Sequence, residues 1–323
     1  MRSLRRKAPT RHPHVARKAL KSWFLPAWWI TKVLAALDNV SVGIHGVHVF
    51  AGQRAIDIAF EQHVGRMASV DVCIDESHDI LTAAGLEFLL LQLVSCFPGG
   101  LVWMGVPCCS WVFLSRSVSK RSVFLPRGPN SCSSWVHDHN TIQTIASYIA
   151  LTANALQLQY VIEQPVSSLL FAMDFRQPQT AGSLFHSLLI TKAIDASVSM
   201  LSFAGPTRKT LKLKGTSPWL RTLGKVSELA SPKQSDVRQA LASTTMSKRG
   251  RVQVTGNKQK HSLRGSVAYT TEFGIAVALA FIGHDASAIV EKISRPAKRP
   301  AKRPRRTNNN ERSVRKRRHH QTL

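Results

Sequence analysis

Acidic residues are scarce in this 323-residue chain: 18 Asp and Glu stand against 44 Lys and Arg, for a formal net charge of +26. None occurs before Asp38. The imbalance sits at the two ends. Residues 295–323 hold 12 Lys/Arg and one acid, and residues 1–22 hold eight Lys/Arg and no acid, which leaves only +7 for residues 23–294. Runs of this kind are solvated rather than packed, and they suit a polyanion such as nucleic acid. Cysteine is also sparse. Five occur, at 73, 96, 108, 109 and 132, with no C-x-x-C spacing. The odd number and the lack of that spacing argue against both a disulfide framework and a structural zinc module, and fit a reducing compartment. No apolar run reaches the roughly 18 residues of a membrane span, so no membrane partner is expected. A secretory apolar core with a cleavage site is missing too, and internal repeats are not visible.

What the chain does contain is an alternation of strand and helix signals. "GVHVFAG" (46–52) is a short apolar strand ending in glycine, and the following "QRAIDIAFEQHV" (53–64) places Ile56, Ala59, Phe60 and Val64 on one helical face. "ASVDVCID" (68–75) is a second strand, "LEFLLLQLVSCF" (86–97) a second helix closed by Pro98-Gly99-Gly100, and "GLVWMGVPCC" (100–109) a third strand. A helix over 141–159 and the strand "YVIEQP" (160–165) continue the series, which predicts an α/β fold with a doubly wound, mostly parallel, Rossmann-like sheet. Beyond 177 the pattern loosens: "SVSMLSFAG" (197–205) and "TLKLKG" (210–215) are strand candidates, and 270–293 returns to helix. The expected partition is a disordered basic arm over 1–15, a Trp-rich helical segment over 16–44 that packs on the core, and an α/β domain over 45–222. A basic flexible insertion over 223–268, a returning helix over 269–293 and a disordered basic tail over 294–323 complete it.

In an open parallel sheet, ligands bind beyond the carboxyl ends of the strands. Four such ends carry chemistry here: "FAG" (50–52), "VD" (70–71), "PCC" (107–109) and "EQP" (163–165). Gly52 lets the chain turn close to a ligand, and Asp71 can accept hydrogen bonds from ribose hydroxyls. Each also has a plain structural reading, a turn and a cap. A thiol at 108 and a carboxyl at 163 on the same rim supply a nucleophile and a proton donor. Adjacent cysteines are too constrained to form an ordinary structural disulfide. Cys132 with His137, Asp138 and His139 fits no standard metal spacing, so no metal is expected, and the histidines read as exposed residues near a helix start. "SRSVSKRS" (115–122), with Arg116 and Arg121, reads as a phosphate-contacting loop or as a merely solvated one.

Taken together these segments resemble DNA (cytosine-5) methyltransferases. "VHVFAGQRAIDIAFE" resembles the family's first cofactor motif, "VPCCSW" its Pro-Cys nucleophile motif, and "VIEQP" its Glu-Asn-Val motif. "SFAGPTRKTLKL" is similar to the region that supplies basic residues to substrate, and "SVAYTTEFGIAVALAFI" to the last motif, whose helix returns to the cofactor pocket. The order is the family's order and spans roughly 46–283. A closer resemblance is to a set of dinoflagellate proteins sharing FAGQR, PCxSWVF and IEQP. The departures are Gln53-Arg54-Ala55 in place of a glycine pair, Val106 in place of a proline, and Gln164 in place of asparagine.

The resemblance implies S-adenosyl-L-methionine as cofactor, held by Phe50, Gly52, Asp71, Asp79 and Pro107. It implies Cys108, not Cys109, as the nucleophile toward a cytosine, Glu163 as its acid partner, and Arg208 and Lys209 as base or phosphate contacts. Nucleic acid is the implied partner, DNA ahead of RNA. The basic tail "RPAKRPAKRPRR" implies a nuclear location, with an organelle as the alternative given the Arg-rich start. The competing expectation is a catalytically degenerate nucleic-acid- or chromatin-binding protein that keeps the fold.

Overall fold

The computed structural model describes residues 18–20, 25–38, 43–172, 183–205, 209–230, 242–246, 252–256 and 269–294. The chain divides into two units, Met1–Ile293 and Ser294–Leu323, and all of the second except Ser294 lies outside the described residues. The disorder expected of 1–15 and of the basic tail falls outside them as well.

The elements, in chain order, are α1 (Ala27–Asp38), β1 (Ile44–Val49), α2 (Ala55–His63), β2 (Met67–Val70), α3 (Ala83–Ser95), β3 (Cys96–Met104), the short α4 (Arg116–Ser119), α5 (Ser134–Ala155), β4 (Gln159–Pro165), α6 (Leu184–Ile190), β5 (Ile194–Ser199), β6 (Thr210–Gly215), α7 (Leu220–Leu229), β7 (Ala242–Met246), β8 (Val252–Gly256), α8 (Thr271–Phe281) and α9 (Ala286–Ser294). Six strands form one sheet in the order β2-β1-β3-β4-β6-β5. β1 pairs in parallel with β2 and β3, and β3 with β4, whereas β6 runs antiparallel to both β4 and β5. The sheet is therefore mixed and mostly parallel, which is compatible with a Rossmann-like α/β fold. β7 and β8 make a separate antiparallel pair.

The strands show why the sheet is buried on both faces. A strand alternates its side chains with period two, so a sheet covered by helices on each side needs apolar residues at both parities. In β3, Val102 and Met104 belong to one core, and Leu101 and Trp103 to the other. The first core is closed by α1, α3, α5 and α6, and the second by α2, α7, α8 and α9. α1 begins directly after Pro26, whose carbonyl accepts from Ile30 N. Its Trp29 is fully buried and donates from Nε1 to Thr152 Oγ1 at 2.9 Å, joining α1 to α5.

Three expectations need correction. The segment from 223 is not uniformly an unstructured insertion: α7 runs from 220 to 229, with Leu220, Leu223 and Val226 buried on one face, and β7 and β8 follow. α5 starts at Ser134 rather than near 141, which draws His137 and His139 into its first turns. The returning helix is two helices, broken at Gly283, where φ is +91°.

Candidate functional site

Strand order locates the site. From β1 the chain crosses to β2 on one side and later to β3 on the other, so a crevice opens where the carboxyl ends of β1 and β3 part. A cavity of about 510 Å³ lies there, a size that takes a cofactor-sized ligand. Phe50, Gly52, Asp71, Asp79, Pro107, Cys108, Glu163 and Lys209 all line it. These eight residues come from five separate places in the sequence.

The turn after β1 is tight and strained. Phe50 and Arg54 have φ of +63° and +60°, in a region that costs a side-chain-bearing residue roughly 1–3 kcal/mol each. Gly52, at φ +53°, adopts it without that cost, and a Cβ there would meet no protein atom within 4 Å. Asp71 braces the turn: its Oδ2 accepts from Gly52 N at 2.8 Å and its Oδ1 from Cys73 N at 2.7 Å. Each carboxylate oxygen keeps a further lone pair for a ligand. Arg54, which replaces the expected glycine, points away from the cavity. Its Nε donates to Ser69 Oγ at 2.9 Å and lies 3.4 Å from Asp57 Oδ2. Asp79 is held by a close approach, since a Cβ on Gly85 of α3 would lie 2.1 Å from the Asp79 carbonyl oxygen.

The loop after β3 presents the thiols. Gly105 N donates to Val49 O at 3.1 Å, and the buried Gln164 side chain donates through Nε2 to Val106 O. Ser168 Oγ in turn donates to Gln164 Oε1 at 2.7 Å. Gln164, the departure from asparagine, thus pins the backbone that carries Cys108. Cys108 is largely enclosed; burial pushes its thiol up, the Lys209 ammonium opposes that shift, and the Glu163 carboxylate adds to it. Cys109 does not line the cavity.

Glu163 is buried at 5% exposure on β4. Its Oε2 accepts from Tyr269 Oη at 2.7 Å, and Lys209 Nζ stands 3.9 Å from Oε1. Oε1 is buried, faces the cavity side and has no hydrogen-bond partner among the described residues, which leaves it for a ligand. Tyr269 is a site residue that the sequence motifs did not single out. Burial, followed by the Glu163 charge, raises its hydroxyl well above the ordinary tyrosine value, so it stays a donor. The signal lies in "SVAYTTEFG": Tyr269 sits just before α8, the element expected to return to the pocket.

The basic residues divide. Lys209 is at the cavity. Arg208 lies outside the described residues. Arg116 is half-buried, away from the cavity, with its guanidinium 5.0 Å from the Phe113 ring centroid. Arg121 is not a phosphate contact. It is 2% exposed, donates to Asn140 Oδ1 at 2.8 Å, to Val136 O at 3.1 Å and to Pro126 O, and stacks 3.5 Å over Trp111. Burial lowers its pKa to about 10. It staples the 112–140 loop instead. Among the described residues no cluster of three or more His, Cys, Asp or Glu could hold a metal ion, and no helix is long and apolar enough to cross a membrane.

A scan of protein-family models and a search of curated proteins found no match to this chain.

Proposed function

We propose that the chain is an S-adenosyl-L-methionine-dependent methyltransferase of the cytosine-5 type, acting on nucleic acid, DNA ahead of RNA. The observation that carries this reading is the convergence of Cys108 and Glu163 on the same crevice as the Phe50–Gly52 turn, Asp71 and Asp79. The cavity fits the cofactor chemically. Phe50, Val72 and Ile80 offer apolar wall to a nucleobase ring, Asp71 and Asp79 offer acceptors to hydroxyls, and Gly52 leaves open space beside the turn. Bound there, the cofactor supplies an electrophilic methyl group to carbon 5 of the base.

In this reading the protein's own residues act in turn. A cytosine must leave the base stack to reach a recessed thiol. The Cys108 sulfur, as thiolate, forms a bond to C6, and the ring's electron pair moves toward N3 and C5. Glu163, held by Tyr269 and beside Lys209, takes up the proton that the Cys108 thiol gives up and delivers it to N3, offsetting the developing charge. Once C5 carries the methyl group, its proton passes to solvent water, the C6–S bond breaks to release Cys108 as thiolate, and N3 returns its proton to Glu163. Residues 295–323 would carry the protein to the nucleus and to its polyanionic partner.

A second reading, a non-catalytic nucleic-acid-binding protein on this fold, is favoured by the net charge of +26. Calorimetry with S-adenosylhomocysteine separates the two: heat of binding is expected, and its absence removes the methyltransferase reading. An oligonucleotide containing 5-fluorocytosine should then form a covalent adduct in the presence of cofactor. Cys108→Ala should abolish that adduct and Cys109→Ala should keep it; the reverse pattern would overturn the assignment of Cys108.

A further inference from the structure

A second thiol stands beside the cavity in a different environment. Cys109 is exposed, and its Sγ lies 3.1 Å from His139 Nε2. The imidazole is fixed from behind: His139 Nδ1 is 2.6 Å from Trp135 O, a carbonyl that can only accept, so Nδ1 carries a proton and Nε2 is the nitrogen that faces sulfur. Trp135 packs edge-on against the ring at 5.5 Å. Both partners are held by structure already described, the pinned 105–109 loop and the first turns of α5.

We propose that Cys109 and His139 form a thiolate–imidazolium pair, making Cys109 a modification site for hydroperoxides. The assignment stands apart from the methyltransferase reading, because neither residue lines the cavity. The reaction balances within the pair and the oxidant. The thiolate sulfur attacks one peroxide oxygen, an S–O bond forms and the O–O bond breaks. Sulfur is oxidised by two electrons to a sulfenic acid, the peroxide is reduced, and the leaving hydroxide or alkoxide takes the imidazolium proton to become water or an alcohol.

The electrostatics agree with the geometry. The His139 hydrogen bond lowers the Cys109 thiol against the opposing effect of burial. Burial lowers His139, but the Cys109 and Trp135 hydrogen bonds bring it out above the ordinary histidine value. Among the described residues two other titratable groups act on the pair: Arg121, which favours the thiolate and opposes the imidazolium, and Cys108 on the same loop; Cys132 stands instead against His137 and Arg121.

Cys73 is the internal control. It is equally an exposed thiol, on the cavity rim, but it faces Asp71, whose charge raises it. Iodoacetamide labelling of the full chain at pH 7, localised by peptide fragmentation, should modify Cys109 about tenfold faster than Cys73, reflecting thiolate fraction. Hydrogen peroxide followed by dimedone should tag Cys109 first. His139→Gln should slow both reactions at Cys109 about tenfold while leaving Cys73 unchanged, with thermal unfolding confirming that the variant folds. In the unaltered protein the labelling rate of Cys109 should level off at a lower pH than that of Cys73. Equal rates at the two thiols, or a Cys109 rate indifferent to His139→Gln in a folded protein, would overturn the proposal. The labelling needs neither cofactor nor nucleic acid, so its failure is distinct from failure of the catalytic reading.

Discussion

Two adjacent cysteines in this chain differ because their side chains enter different media. Cys108 turns into an apolar-walled cavity, where loss of hydration disfavours the thiolate; Cys109 turns out to an imidazole. A nucleophile held mostly as the thiol has a rate that follows its ionised fraction. Adduct formation with 5-fluorocytosine should therefore keep rising with pH beyond the range in which an ordinary thiol has ionised, near pH 8.5. Lys209 supplies the positive charge that counters burial at Cys108. Lys209→Ala should push the thiol higher still, slowing trapping about tenfold at pH 7 and nearly as much at pH 9, since both proteins hold Cys108 mostly as the thiol there. Trapping rates measured across pH 6.5–9.5 decide it, and coincident profiles for the two proteins would refute the electrostatic role. At Glu163 the change to Gln removes the carboxyl that exchanges the proton but keeps the shape, and a loss of about a hundredfold in trapping rate is expected for a lost general acid.

At the scale of elements, β1, α2 and β2 are joined by a polar link inside the second core. His48 Nδ1 bonds Asp57 Oδ1, and Ser69 Oγ donates to Asp57 Oδ2. His48 and Asp57 are both fully buried, one on β1 and one on α2. The link fixes the two elements that flank the Phe50–Arg54 turn, so it sets the entrance of the cavity without touching it. Burial raises the Asp57 carboxyl, but His48, Ser69 and Arg54 together lower it below the ordinary aspartate value. A carboxyl lowered in the folded state stabilises the fold above its unfolded pKa, and that contribution is lost as pH falls through the native value. The loss should therefore begin below about pH 4. Asp57→Ala leaves His48 buried without its partner and should cost roughly 3 kcal/mol, read as a lower urea midpoint. It should also flatten the acid limb of the stability profile, and an unchanged acid limb would show that Asp57 is not its source.

Elements are legible where the chain marks its own ends. Gly52, Pro98-Gly99-Gly100 and Pro165 punctuate apolar runs, and strand ends in an α/β sheet are where ligands bind, so Phe50, Asp71, Cys108 and Glu163 can be grouped from sequence alone. What escapes depends on distance along the chain. His139 meets Cys109 across 30 residues, and Tyr269 meets Glu163 across 106; no local pattern encodes either pairing. α7 escapes because its apolar positions, Leu220, Leu223, Val226 and Leu229, stand singly among polar and basic neighbours in a run of under three turns, enough to cover one sheet face yet short for marking a period. Arg121 misleads in the other direction. An arginine in a Ser-rich stretch reads as solvated, but three acceptors and the Trp111 face draw it inside.

At the scale of the whole molecule, charge and chemistry are separated. The described core holds the cavity, while residues 1–22 and 295–323 hold +19 of the net +26. A basic segment binds phosphates through counterion release, which adds affinity for any nucleic acid and falls steeply with salt. Cys108 and Glu163, by contrast, line the crevice, where the proposed chemistry on one base would depend little on ionic strength once that base is bound. Deleting 295–323 should therefore weaken binding to duplex DNA of any sequence. The slope of log K against log salt should shrink by about 0.9 for each phosphate that the tail no longer neutralises. S-adenosylhomocysteine binding should be unchanged, since every residue assigned to it lies between 50 and 107. Fluorescence anisotropy at several salt concentrations and calorimetry on the same truncated protein test the two halves together. A salt slope that survives the deletion would move nucleic-acid recognition to residues 1–22 or to the core, at Lys209 and residues 113–125, and a loss of cofactor binding would overturn the assignment of that site to residues 50–107 alone.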